Sequence, residues 1–117
     1  ASNAGVMALT RLPVGKLRDD PDINAMFRGA YEEVEAVGRA RGIALPNDIV
    51  ERTLNFNRNA PPHLMASMAV DLLRGNRIEL PWLSGKVVEL GRKHNVPTPT
   101  HALMYAALKP YIMGTPA

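Results

Sequence analysis

Apolar residues recur at helical spacing from Ile23 to Val37, through Met26, Phe27, Ala30, Tyr31 and Val34, with polar residues between them. That stripe predicts a long amphipathic helix. Its ends are marked as well. Asp20 suits the N-cap and Pro21 the first helical position. Arg39 and Arg41 are cations near its C-terminus, and Gly42 stops it. A second helix follows Pro46, with Asn47 as its cap, Asp48 and Glu51 in the first turn, and Val50, Leu54 and Phe56 as apolar contacts; it ends around Asn57 to Asn59. Pro61-Pro62 opens a third, which runs through Leu64, Met65, Met68 and Leu72 to Gly75. A fourth begins near Pro81, uses Leu83, Val87, Val88 and Leu90, and ends at Asn95-Val96-Pro97. Thr98-Pro99 starts a fifth, with Leu103, Met104, Ala107, Leu108 and Tyr111 on one side, and Pro110 kinks or ends it. Ahead of all these, Val6 to Leu9 is apolar and helix-compatible. No convincing strand is read. The expectation is an all-α fold, a compact bundle of about five main helices.

The chain has 117 residues, enough for one domain with a modest core. No internal repeat or linker divides it, and the ten prolines punctuate helix starts rather than form a proline-rich ligand. The absence of cysteine removes disulfides, thiolate metal sites and cysteine nucleophiles. The net charge of +3 is scattered and interleaved with acids, as in Lys16-Leu17-Arg18-Asp19-Asp20, which reads as a solvated surface and not a nucleic-acid stripe. No apolar run reaches membrane-span length and no signal sequence opens the chain, so no membrane partner is expected and a cytoplasmic location is compatible. Ser2-Asn3-Ala4 reads as the remnant of a cleaved tag. Residues 1–4 are therefore set apart from a helical domain over 5–117, and Asn3 is given no function. The uncapped helix beside them suggests a cut made inside an element.

No dinucleotide fingerprint, P-loop or H-E-x-x-H occurs. His63, His94 and His101 lack ligand spacing and are expected at the surface or at helix ends, so no metal is expected. Glu32-Glu33 reads as a solvated face, Ser84 as a structural serine, Gly85 as a packing position and Trp82 as core or a cleft wall. Ser67 and Glu79 remain, twelve positions apart with Gly75 between them. In one straight helix that spacing would separate them by about 18 Å, at roughly 1.5 Å per residue. A turn at Gly75 lets both point into one cleft. On their own, the two are better explained by ordinary helix habits: a serine bonded back to its helix and a charge at a helix N-terminus.

The run Ser67-Met68 … Asp71-Leu72 … Gly75 … Arg77-Ile78-Glu79 … Leu83-Ser84-Gly85 … Val88 … Leu90-Gly91 … Val96-Pro97-Thr98-Pro99 resembles the C-terminal domain of the ketopantoate reductases (2-dehydropantoate 2-reductases). Upstream, Ala8-Leu9-Thr10 … Pro13-Val14-Gly15 … Leu17 looks like the same domain. The resemblance covers roughly Gly5 to Leu108. It implies an all-helical domain of the 6-phosphogluconate dehydrogenase C-terminal kind, preceded by a Rossmann domain that binds NADPH, with the active site in the cleft between them. It implies that Ser67, beside Ala66, binds substrate and that Glu79 contacts the cofactor. The family's catalytic lysine stands upstream of the Ala8-Leu9-Thr10 segment, so no catalytic residue is assigned in this chain; Lys16 is not that lysine. The parent reaction implied is reduction of ketopantoate to pantoate, a step of pantothenate and coenzyme A biosynthesis. Val14 and Ala66 depart from common family residues, an Asn and a Ser, which points to another 2-oxo acid. An isolated domain of this kind is expected to be inactive and to self-associate through its cleft face and the Val6–Leu9 segment. The rival reading is a free-standing helical dimerisation or interaction module.

Overall fold

The computed structural model describes residues 2–116. Six α-helices follow one another: α1 Ser2–Thr10, α2 Pro21–Ala40, α3 Ile49–Asn59, α4 Ser67–Leu73, α5 Ser84–Lys93 and α6 Pro99–Leu108. Short 3₁₀ turns lie at Val14–Lys16, Leu80–Trp82 and Lys109–Tyr111, and there is no strand among the described residues. None of the helices is long and apolar enough to cross a membrane.

The long helix α2 forms where its end signals place it. The Asp20 carboxylate accepts the N–H groups of Asp22 and Ile23 at 2.9 and 3.0 Å, satisfying two of the donors a helix start leaves free. Its inner face buries Phe27, Ala30, Tyr31 and Val37. The opening residues of the chain build the centre of the fold. Val6, Met7 and Ala8 are essentially inaccessible, and α1 packs against α2, α4 and α6. The Val6–Leu9 segment is therefore not an exposed apolar surface, because three neighbouring helices already cover it. Residues 2–4, expected as a tag remnant, form the first turn of α1, with Ser2 and Ala4 buried.

Other boundaries move. Asp48, not Asn47, precedes α3, and it makes an ion pair with Arg52 at 2.9 Å in place of a side-chain cap. The third helix begins at Ser67 and not at Pro61-Pro62. The stretch before it is occupied: the carbonyls of Pro62 and Leu64 accept the N–H groups of Gly15 and Val14, each at 2.9 Å. The two backbones come so close there that a Cβ on Gly15 would lie 2.7 Å from the Pro62 carbonyl oxygen. Pro81 is the middle residue of a 3₁₀ turn, and α5 starts three residues after it, at Ser84. Pro110 does end α6, in a 3₁₀ turn.

One side chain lies opposite to expectation, and for two others one of two alternatives falls. Glu33 is buried and caps α6 from across the bundle, its two oxygens accepting Thr100 N–H at 2.9 Å and His101 N–H at 3.0 Å. Pro99 and Thr98 provide no such cap of their own. His101 stands at a helix end, in the first turn of α6, but is fully buried and not at the surface. Trp82 is 73% exposed and belongs to no core, because the Leu80–Trp82 turn directs Leu80 inward in its place.

Candidate functional site

Ser67 is the first residue of α4 and is exposed. Ala66 before it is extended (φ −64°, ψ 146°), and its N–H donates to the sulfur of buried Met7 at 3.3 Å, which ties this helix start to α1. Ala66 has no side-chain oxygen, so the N–H groups of Ser67 and Met68 have no side-chain cap. His63 to Met65 lie ahead of the helix, and Ala66 is its N-cap residue, its carbonyl accepting Ala69 N–H at 3.0 Å.

Glu79 precedes the Leu80–Trp82 turn, and its carbonyl accepts Trp82 N–H at 3.0 Å. Its carboxylate is exposed and has no ion-pair partner among the described residues. The path between Ser67 and Glu79 is tightly specified. α4 ends in a Schellman motif, in which Gly75 N–H donates to Leu72 at 3.1 Å and Asn76 N–H to Asp71 at 2.9 Å. Gly75 has φ +74°, the left-handed conformation such an end needs. Buried Met68, Ile78 and Leu80 anchor the stretch from beneath, so both polar side chains stand on the outer side of a fixed scaffold.

Neither Ser67 nor Glu79 lines the cavity of about 360 Å³ between α1, α2 and α3. Asn3, Tyr31, Leu45, Ile49, Val50 and Thr53 contribute to its walls. A closed ring of hydrogen bonds lies beside it: Tyr31 Oη donates to Asn3 Oδ1, Asn3 Nδ2 donates to Asn57 Oδ1 at 3.1 Å, and Asn57 Nδ2 donates to Tyr31 Oη at 2.7 Å. Burial pushes the Tyr31 hydroxyl up to about 12, against the opposing pull of the two asparagines. Asn3 thus has a specific buried partner set.

A second polar cluster surrounds His101. Its Nε2 lies 3.1 Å from the Ala30 carbonyl and 3.2 Å from Ser2 Oγ, and its Nδ1 lies 3.3 Å from Ser84 Oγ. A neutral imidazole carrying its proton on Nε2 satisfies this: it donates to the carbonyl and accepts the Ser84 hydroxyl proton. Burial holds its pKa below the ordinary value, while the Ala30 carbonyl and the Glu33 charge work the other way. Ser84 and His101 are both wholly inaccessible, so the pair is structural and not a nucleophile with its base. Among the described residues no group of three or more His, Asp or Glu could hold a metal ion.

The buried polar residues carried a readable signal. Asn57 continues the period of Val50 and Leu54, Glu33 that of Ala30 and Val37, and His101 that of Met104 and Leu108. A polar residue in an apolar register is a buried one that needs partners. Val14 is also fully buried, so an apolar residue there suits its packing.

The family model described as ketopantoate reductase PanE/ApbA C terminal matches residues 1–111. A 2-dehydropantoate 2-reductase of Caulobacter vibrioides is 33% identical over 103 residues, 88% of this chain and 35% of that protein. The PanE/ApbA family ketopantoate reductase structure from Ralstonia eutropha JMP134 is 33% identical, with a TM-score of 0.82 over 92% of this chain and 36% of that one. The dimeric ketopantoate reductase from Staphylococcus aureus is 23% identical and shares the fold, with a TM-score of 0.87 over 94% of this chain and 38% of that one. The chain thus spans about a third of the length of the relatives it matches.

Proposed function

The chain belongs to the ketopantoate reductase PanE/ApbA C-terminal family, and from that membership we propose that it is the substrate-side domain of an NADPH-dependent 2-oxo acid reductase. The reaction is that of a 2-dehydropantoate 2-reductase, with ketopantoate or a related 2-oxo acid as substrate and a cytoplasmic location. The feature that supports it best is that Ser67 and Glu79 are both exposed on one stretch whose buried residues fix its path. Two polar groups aimed outward from a rigid base suit one wall of a cleft. The second wall is the dinucleotide-binding domain that two-thirds of a relative's length would supply.

In this reading the Ser67 hydroxyl donates to the anionic end of the substrate. Glu79 fits a nicotinamide cofactor in one respect: an exposed carboxylate without an ion-pair partner can accept two sugar hydroxyl protons. With no strand among the described residues, this chain has no βαβ unit to hold the pyrophosphate, so most of the cofactor's grip lies elsewhere. When bound, NADPH supplies the hydride for the substrate ketone. Ser67 and Glu79 orient the two reactants, and the lysine expected upstream handles the proton.

The test uses the longer protein and a panel of 2-oxo acids. Ser67→Ala is expected to raise the KM for the 2-oxo acid, and Glu79→Ala the KM for NADPH, each by about tenfold, the effect of losing one charged hydrogen bond. Unchanged kinetics in both variants would sink the assignment. The 117-residue chain alone is expected to show no NADPH-dependent reduction; turnover by it would count against the division of labour.

A further inference from the structure

Beyond α6, the segment Lys109–Thr115 turns back across the loop that carries Glu79. The N–H of Ile78 donates to the carbonyl of Ile112 at 3.1 Å. Two glycines then meet backbone to backbone. Gly114 has φ +107°, and a Cβ on it would lie 2.8 Å from the Gly75 carbonyl oxygen. A Cβ on Gly75 would lie 2.9 Å from Thr115 Oγ1. No side chain fits between these strands of chain, and both positions have φ values that favour glycine.

We infer that the segment Tyr111–Thr115 is a strap that positions Glu79, with Gly114 as its closest point of contact. This rests on the reading of Glu79 as a cofactor contact. The Schellman motif fixes the chain as far as Asn76, and the Glu79–Trp82 bond fixes it again from Glu79 onward. Arg77 and Ile78 join the two, and the Ile112 carbonyl is the acceptor that holds them. The strap has its own footing: Tyr111 and Ile112 pack against the core, and the Arg11 guanidinium sits 5.9 Å over the Tyr111 ring. Glu79 is one peptide link from Ile78, so a shift of the strap carries it along. Ser67 is held from the other side, through Ala66 and Met7 on α1. The strap therefore governs one half of the site and not the other. Displacement by about 1 Å is enough to cost as much as a hundredfold in rate at a positioned group.

The experiment takes the longer protein with Gly114→Val, and with Thr115→Gly as a milder variant should the first not fold. Hydrogen exchange at the Ile78 amide reports whether the strap has loosened, and steady-state kinetics report its effect. Faster exchange at Ile78 with the NADPH KM raised about tenfold, the 2-oxo acid KM unchanged, and no further loss on adding Glu79→Ala is the expected result. Faster exchange with an unchanged NADPH KM would overturn the strap while leaving Glu79's role intact. Equal rises in both KM values would also overturn it, as the mark of a general structural loss. If Glu79→Ala alone leaves the NADPH KM unchanged, the functional reading fails, and the strap's role goes with it.

Discussion

His101 is an imidazole without solvent contact, held between Ser2, Ser84 and the Ala30 carbonyl. Burial lowers its pKa from the ordinary 6.5. The unfolded chain therefore takes up this proton before the folded one does, and protonation favours unfolding. The contribution to stability is complete above the ordinary imidazole pKa and is lost as the pH falls through the window between that value and the lowered one. A single proton gives a slope of no more than about 1.4 kcal/mol per pH unit. Urea midpoints measured between about pH 7.5 and about pH 5 are expected to fall on the acid side, and the fall is expected to shrink in His101→Asn. A fall of equal size in that variant would assign it to other groups.

At the level of elements, the tie between α2 and α6 is a carboxylate of one serving as the cap of the other. Glu33→Ala is expected to cost about 1–2 kcal/mol, the usual effect of losing a cap, and to lower Tm by roughly 5–10 °C. Glu33→Gln keeps an acceptor and is expected to retain part of the loss; a melting curve for each checks the order. The same contact shows what could be read in the sequence. The Asp20-Pro21 start of α2 was legible because every partner lies within three residues. So was the end of α6, because Pro110 blocks it locally. The start of α4 was not legible at Pro61-Pro62, because the carbonyls of Pro62 and Leu64 are claimed by Val14 and Gly15 from the far side of α2 and α3. Glu33 and His101 stand in apolar registers of their own helices, but their partners come into view only when α2 and α6 are set side by side. Ser67 and Glu79 were singled out by the family resemblance and the turn at Gly75 by its glycine, and the structure adds their exposed placement and the hydrogen bonds that fix that turn.

For the whole molecule, the apolar residues left in solvent are not those of α1. Phe56, Leu73, Trp82, Leu103 and Met113 are the large ones most exposed. Self-association of the isolated domain is expected to use them, and sedimentation velocity over a range of concentrations checks this, with Trp82→Ser expected to weaken it. A monomer at high concentration would refute it. The central place of α1 also bears on time. Ser2 and His101 share a hydrogen bond across 99 residues of chain, and α6 is one of the three helices that cover α1. Within this domain the ribosome makes α1 before α6, so Val6, Met7 and Ala8 lack the last of their three covering helices until translation of the domain is nearly complete. Closure of this core is a late event whose speed is limited by bringing distant segments together, and a nascent chain stalled before Pro99 would be a substrate for chaperones.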